Sequence, residues 1–270
     1  MYFITFTDML GTRGEKIARQ VAGNLNYSFY GEEELLQAAG RMGFLSDVKQ
    51  LDEKGPGLID LFFSEKPKIF LDRLQSVIYE VAKNGNAIFY GRGSQLLLNS
   101  FDCALHVLVI GSTEKRIQVI MEEKKVGREV AEKMIHRSDS NKKGFLRFAF
   151  HEDWLNPQLY DLILNMDKLS VEAAAKMVLD AAKSEEIKAC GIDSVTALGK
   201  LSLHRKIESS LLEAGAMTPY VFVDVENMDS VRVYGMVNSP DEKERIERIL
   251  KGLKDVKKIT SDLTLFRGSA

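Results

Sequence analysis

The run Tyr2-Phe3-Ile4-Thr5-Phe6-Thr7-Asp8-Met9-Leu10-Gly11-Thr12-Arg13-Gly14-Glu15-Lys16-Ile17 decides how the rest of the chain is read. Its first five residues are all β-branched or aromatic, the composition of a buried strand. Beyond Gly14, Ile17, Val21 and Leu25 recur at i, i+4 and i+8, which is helical spacing. The order is therefore strand, glycine turn, helix. Such a turn has two readings. Glycines let backbone amides approach an anion at a helix N-terminus, the construction of a phosphate-binding loop. Two glycines between strand and helix also make a plain tight turn. A standard phosphate loop continues from its last Gly into Lys, for the β- and γ-phosphates, and Ser or Thr, for Mg2+. Here Gly14 is followed by Glu15 and Lys16.

The same alternation repeats downstream. Asn26 to Tyr30 reads as a strand, and Glu32 to Ala39 opens a helix before an irregular stretch at Gly55-Pro56-Gly57. Phe70, Leu74, Val77, Ile78 and Val81 mark a helix that Asn84-Gly85-Asn86 stops. Ala87-Ile88-Phe89-Tyr90 is a buried strand ending at Gly91-Arg92-Gly93, and Leu105 to Ile110 is another. Ser112 is placed to cap a helix carrying Ile117, Ile120 and Met121. Tyr160 to Leu164 supplies the last strand of the series, and Ser170 opens a helix with Val171, Ala174, Ala175 and Val178 on one face. Apolar strands alternating with helices imply a parallel α/β sheet covered on both faces.

In such a sheet the loops at the carboxyl ends of the strands line the ligand crevice. Arg92 then faces the same cleft as Gly11 to Gly14, where a guanidinium can clamp a phosphate; the alternative is an Arg that caps a surface turn. Lys124 to Arg147 holds eight basic residues against three acids, Glu129, Glu132 and Asp139. Cations on a lid over a transferring phosphoryl group stabilise its charge, whereas an isolated charge run is more often a solvated helix face.

The polar stretch Ser184 to Asp193 reads either as a boundary or as part of a continuous helix; the boundary gives an α/β domain over 1–183, a linker over 184–200 and a smaller domain over 201–270. The last contains a helix around Leu201 to Ala214 and a hairpin of Tyr220 to Val225 with Val231 to Val237. Ser239-Pro240-Asp241-Glu242 then starts a helix, and a short strand follows at Val256 to Ile259. Gly235 within a strand suggests a bulge or a close backbone approach.

With 45% hydrophobic and 28% charged residues the chain has the composition of a globular protein. Its 37 Lys plus Arg against 39 Asp plus Glu provide no global attraction to nucleic acid or to an anionic membrane, so any anion site is local. No run reaches the ~20 apolar residues of a membrane-spanning helix. Cys103 and Cys190 have no metal-type spacing to the four histidines and suggest neither a disulfide framework nor a metal site, which fits a cytoplasmic protein. His106, His151, Trp154 and Tyr160 read as core residues beside apolar strands.

Together these pieces resemble the cytidylate kinase-like family, a branch of the P-loop nucleoside monophosphate kinases. Thr7 to Ala18 aligns with that family's glycine loop and keeps Gly11, Gly14, Ile17 and Ala18. Ala87 to Ser94 is similar to its strand and Gly-Arg-Gly turn, Leu105 to Ile117 to the next strand and helix, Asp139 to Trp154 to its lid, and Tyr160 to Leu169 to its last strand. From about Leu203 the αββαβ order with Val233-Tyr234-Gly235-Met236-Val237 resembles the BON domain. The resemblance implies a P-loop kinase domain with a helical lid and a small α+β module. It implies transfer of the γ-phosphoryl group of ATP, as its Mg2+ complex, to CMP or dCMP. In that reading Gly11, Thr12, Arg13, Gly14, Glu15 and Lys16 hold the ATP phosphates, and Gly91, Arg92 and Gly93 grip the acceptor. Arg137, Lys142 and Arg147 close over the transferred group, and no resident metal is implied. The partners are nucleotides, not nucleic acid, without membrane insertion; the BON-like module either contacts a second copy or another protein, or only packs. Two departures stand out, because Asp8 and Glu15 replace family arginines. Each puts a negative charge near an anion site, at a cost of about 3 kcal/mol for ~6 Å and an effective dielectric of about 20. A nucleotide-binding pseudokinase that signals through the BON-like module is the alternative to an active kinase.

Overall fold

A computed structural model describes residues 3–44, 66–185, 187 and 192–266. The Gly55-Pro56-Gly57 stretch lies outside them. In chain order the elements are β1 (Phe3–Asp8), α1 (Gly14–Leu25), β2 (Ser28–Tyr30), α2 (Glu32–Arg41), α3 (Lys66–Ala82), β3 (Ala87–Tyr90) and the single turn α4 (Ser94–Leu97). Then come β4 (Ala104–Ile110), α5 (Thr113–Lys124), α6 (Arg128–Phe150), a 3-10 turn (Pro157–Leu159), β5 (Leu162–Asn165) and α7 (Val171–Ala182). The last are α8 (Ile192–Glu213), β6 (Val221–Asn227), β7 (Ser230–Val237), α9 (Pro240–Gly252) and β8 (Lys258–Leu265). The chain forms two compact units, one of residues 1–35 and 84–191, the other of residues 36–83 and 192–270.

The first unit is built on a parallel sheet of order β2-β3-β1-β4-β5. All six residues of β1 are buried, because β3 and β4 flank it and helices cover it. On one face Ile17, Ala18 and Val21 of α1 and Ala174, Ala175 and Val178 of α7 pack against Ile4, Phe6, Ile88, Val107 and Leu164. Elsewhere Leu108 packs with Leu146, Trp154 and Tyr160. These are the apolar periodicities of the sequence turned into contacts. His106 is a satisfied core histidine, its Nδ1 2.8 Å from Thr5 Oγ1, and burial pushes its pKa down. Ser170 caps α7 by accepting from the Ala173 N–H at 3.1 Å. Ser112 holds the N-cap position of α5 but its side chain makes no capping bond; its backbone N–H donates to Asp167 at 2.8 Å instead. Cys103 is buried.

In the second unit β6 runs antiparallel to β7, and β7 pairs in parallel with β8. One face of this sheet, Val221, Val223, Val231 and Val233, packs with Leu203, Ile207 and Leu211 of α8 and Ile246 and Leu250 of α9. Gly235 has φ 121°, and a Cβ there would fall 1.9 Å from the Tyr220 carbonyl oxygen, so the close approach expected of it is made by backbone. Ser239 accepts from the Glu242 N–H at 3.1 Å while Glu242 accepts from the Asn238 N–H at 2.7 Å, a capping box closed one residue early. The third strand is longer and later than expected, Lys258–Leu265.

Helix α8 begins at Ile192, so residues 192–200 are helical. It packs on α3 within this unit through a polar seam. Ser76 Oγ donates to the Ser202 carbonyl at 2.9 Å, Ser202 Oγ to Glu80 at 3.1 Å, and Arg205 to Asp72 at 3.3 Å. Burial and the neighbouring Glu208 push the Asp72 carboxyl up to about 6. Among the described residues no helix is long and apolar enough to cross a membrane.

Candidate functional site

The carboxyl ends of β1, β3, β4 and β5 lie along one edge of the parallel sheet, and the glycine turn that follows β1 starts there. Thr12 closes the turn twice on the Met9 carbonyl, through its N–H at 3.1 Å and its hydroxyl at 2.8 Å. Gly11 has φ 91°, and a Cβ there would sit 2.7 Å from the Arg116 carbonyl oxygen. Arg13 takes the left-handed N-cap position of α1, with φ 60°. At Gly14 a Cβ would meet Asp8 Cβ at 2.5 Å and Asp8 Oδ2 at 2.9 Å. Both glycines therefore serve a close approach, but the approaching groups belong to the protein itself.

The charged side chains of the turn are engaged elsewhere. Arg13 Nε and Lys16 Nζ reach Glu123 on α5 at 3.2 and 2.5 Å, and Glu15 pairs with Arg19 at 2.9 Å. Lys142 on α6 does come to the turn. Its ammonium lies 2.8 Å from Asp8 Oδ1, also donates to the Asp8 carbonyl, and stands 5.7 Å from the centre of the Trp154 ring. Tyr90, at the end of β3, lies near Asp8 and Glu15. Burial, with Asp8 and Glu15 nearby, holds its pKa well above the ordinary tyrosine value.

Arg137 and Arg147 are exposed and have no ion-pair partner among the described residues. Each is five residues from Lys142, so at ~100° per residue each projects ~140° around α6 from it. The structure thus brings one of the three lid cations to the turn and leaves two on the other side of the helix. Gly91, Arg92 and Gly93 are all left-handed, with φ 76°, 62° and 72°. Arg92 is mostly covered and lies 3.9 Å from Glu32. A Cβ at residue 93 would fall 2.4 Å from the Phe150 ring, which fixes Gly there.

Arg116 and Asp139 were given no role of their own from the sequence. The Arg116 guanidinium is 4% exposed, donates to the Leu10 carbonyl at 2.8 Å and grips Asp139 with two bonds at 2.9 and 2.8 Å. It ties turn, α5 and α6 together. Its spacing of four before the buried Ile120 was the available signal.

Beside the turn lies a cleft of about 240 Å³, lined by Gly11, Arg13, Lys115, Val119, Met166 and Val171 among others. Ligand sites commonly occupy ~300–1,000 Å³, so this one has room for part of a nucleotide, such as its base, and not for all of it. The residues present do not fit a resident metal. Lys16 stands where the Mg2+-binding hydroxyl would be, Asp8 is engaged by Lys142, and the described residues contain no group of three His, Cys, Asp or Glu side chains that could hold an ion.

The cytidylate kinase-like family model matches residues 3–168, and the BON domain model matches residues 202–265. Among solved structures the chain is similar to an uncharacterized protein from Eubacterium ventriosum, with TM-score 0.56 and 19% identity over 68% of this chain and 99% of that one. More distant are a shikimate kinase from Bacteroides thetaiotaomicron (TM-score 0.42, 12% identity, 68% and 99% covered) and a deoxyadenosine kinase from M. mycoides (0.35, 15%, 66% and 97%). No curated protein matches the chain. Since the first match runs from β1 to the turn after β5 and takes in more than half of the residues, the chain belongs to the cytidylate kinase-like family and carries a BON domain in its C-terminal part.

Proposed function

We propose that this protein binds a nucleotide at the cleft beside Gly11 to Arg13, and that transfer of the ATP γ-phosphoryl group to CMP or dCMP is strongly attenuated in it. One observation carries this reading. Of the cations expected over the transferred group, only Lys142 faces the turn, and Asp8 engages it at 2.8 Å. Phosphoryl transfer depends on positioning and on positive charge aimed at the phosphoryl oxygens. A site whose cations are paired internally or turned outward keeps binding surface and loses most of that charge. ATP, as its Mg2+ complex, is the ligand to try first, with the ion held by the nucleotide's own phosphates. The Gly91 to Gly93 turn with Arg92 forms the acceptor side of the same site. A nucleotide-responsive protein of this kind passes its state on through the BON domain, to a second copy or another protein.

The test is a coupled assay with ATP, Mg2+ and CMP, run beside thermal unfolding of the same sample. The expected result is a nucleotide-dependent rise in the unfolding midpoint with no CDP or ADP formed. Turnover near the ~1–100 s⁻¹ of ordinary kinases would restore the active-kinase reading. Absence of both midpoint shift and turnover would remove nucleotide binding altogether.

A further inference from the structure

We infer that Asp8 is an internal anion seated where a phosphate loop would hold its phosphate, and that it makes the site select against polyphosphate. Only the organic part of the ligand rests on the nucleotide reading above. The first amides of a helix and a close glycine backbone make a favourable place for negative charge. Here a carboxylate is already in that place. Asp8 is 7% exposed, and its Oδ2 lies 2.9 Å from the position a residue-14 Cβ would take, beside the first residue of α1. The groups an incoming phosphate would use are engaged around it. Lys142 neutralises Asp8 at 2.8 Å, and the side chains of Arg13 and Lys16 are paired with Glu123 at 3.2 and 2.5 Å. A phosphate entering this space either displaces Asp8, breaking the contact to α6, or accepts a like charge a few ångströms away. The second course carries a strong repulsion at low ionic strength that added salt weakens. Asp8 thus acts as a specificity-determining residue, and Lys142 couples its position to α6.

Inorganic tripolyphosphate is the probe, titrated calorimetrically into the full chain and into Asp8→Asn, which keeps the side-chain shape and removes the charge. The variant is expected to bind about tenfold more tightly at low salt, with the gain shrinking as salt is raised. Asp8→Ala, which removes the charge together with the carboxamide-sized side chain, is expected to gain at least as much, and it serves as the second test if Asp8→Asn does not fold. Equal affinities in the parent chain and the folded variant, including no binding by either, would overturn the inference. Adenosine and ATP titrated into the same proteins separate the two readings. If neither binds either protein, the nucleotide reading falls, while the tripolyphosphate comparison still decides the role of Asp8.

Discussion

Arg116 shows how much of this site is held by one side chain that sequence reading passed over. A buried guanidinium with a bidentate carboxylate and a backbone carbonyl is strongly destabilising to truncate, because its partners lose their counter-charge and donor. Arg116→Met is expected to lower stability by about 3 kcal/mol, measured by denaturant unfolding, with a far smaller effect for the exposed Arg137→Met. Both glycines of the first turn were legible as a strand-to-helix turn, although only Gly11 takes the φ above zero that calls for Gly. What approaches them was not. Nothing in the local sequence says that Gly14 makes room for Asp8 or Gly11 for Arg116, because those contacts are set by how β1 and α5 pack. Likewise Asp8 reads as a misplaced charge in the sequence, and its partner lies 134 residues away.

The strands and helices themselves were readable because their apolar periods are regular, and the caps show where such reading stops. Ser112, Ser170 and Ser239 all precede helices, yet only Ser170 and Ser239 accept a bond from the helix. Ser239→Ala is expected to cost about 1 kcal/mol and Ser112→Ala close to nothing, a contrast that thermal unfolding of the two variants can read. The basic run ending at Arg147 was visible as a count of charges. Its effect depends on helical phase, since Lys142 shares a face of α6 with the buried Ile135 and Leu146 while Arg137 and Arg147 do not. The polar stretch before Leu201 misled for a similar reason. Residues 192–200 are polar enough for a linker, but they form the first part of α8.

Across the chain, the two compact units are expected to answer pH in opposite directions. In the first, the folded-state pKa of His106 lies below its ordinary value, so the unfolded chain takes up the proton first and stability falls as pH drops below ~6.5. In the second, Asp72 is raised from 3.8 to about 6, so the folded chain takes up the proton first and stability rises as pH falls through 6. Between pH 7.5 and 5.5 the Asp72 contribution amounts to about 1 kcal/mol. Hydrogen exchange at the two pH values should therefore show faster opening of β4 and slower opening of α8 at the lower one; the same direction in both would contradict this. The division into units was only partly legible, because α3 lies in the first half of the chain and packs on α8, a pairing of high sequence separation that no local pattern reveals. The proposed site, with a base cleft left open and a phosphate seat filled by Asp8, is tested most directly by titrating adenosine and ATP into the unmodified protein at low salt. Adenosine and ATP are expected to bind within about threefold of each other, whereas ATP binding about a hundredfold more tightly would show the phosphate seat to be open.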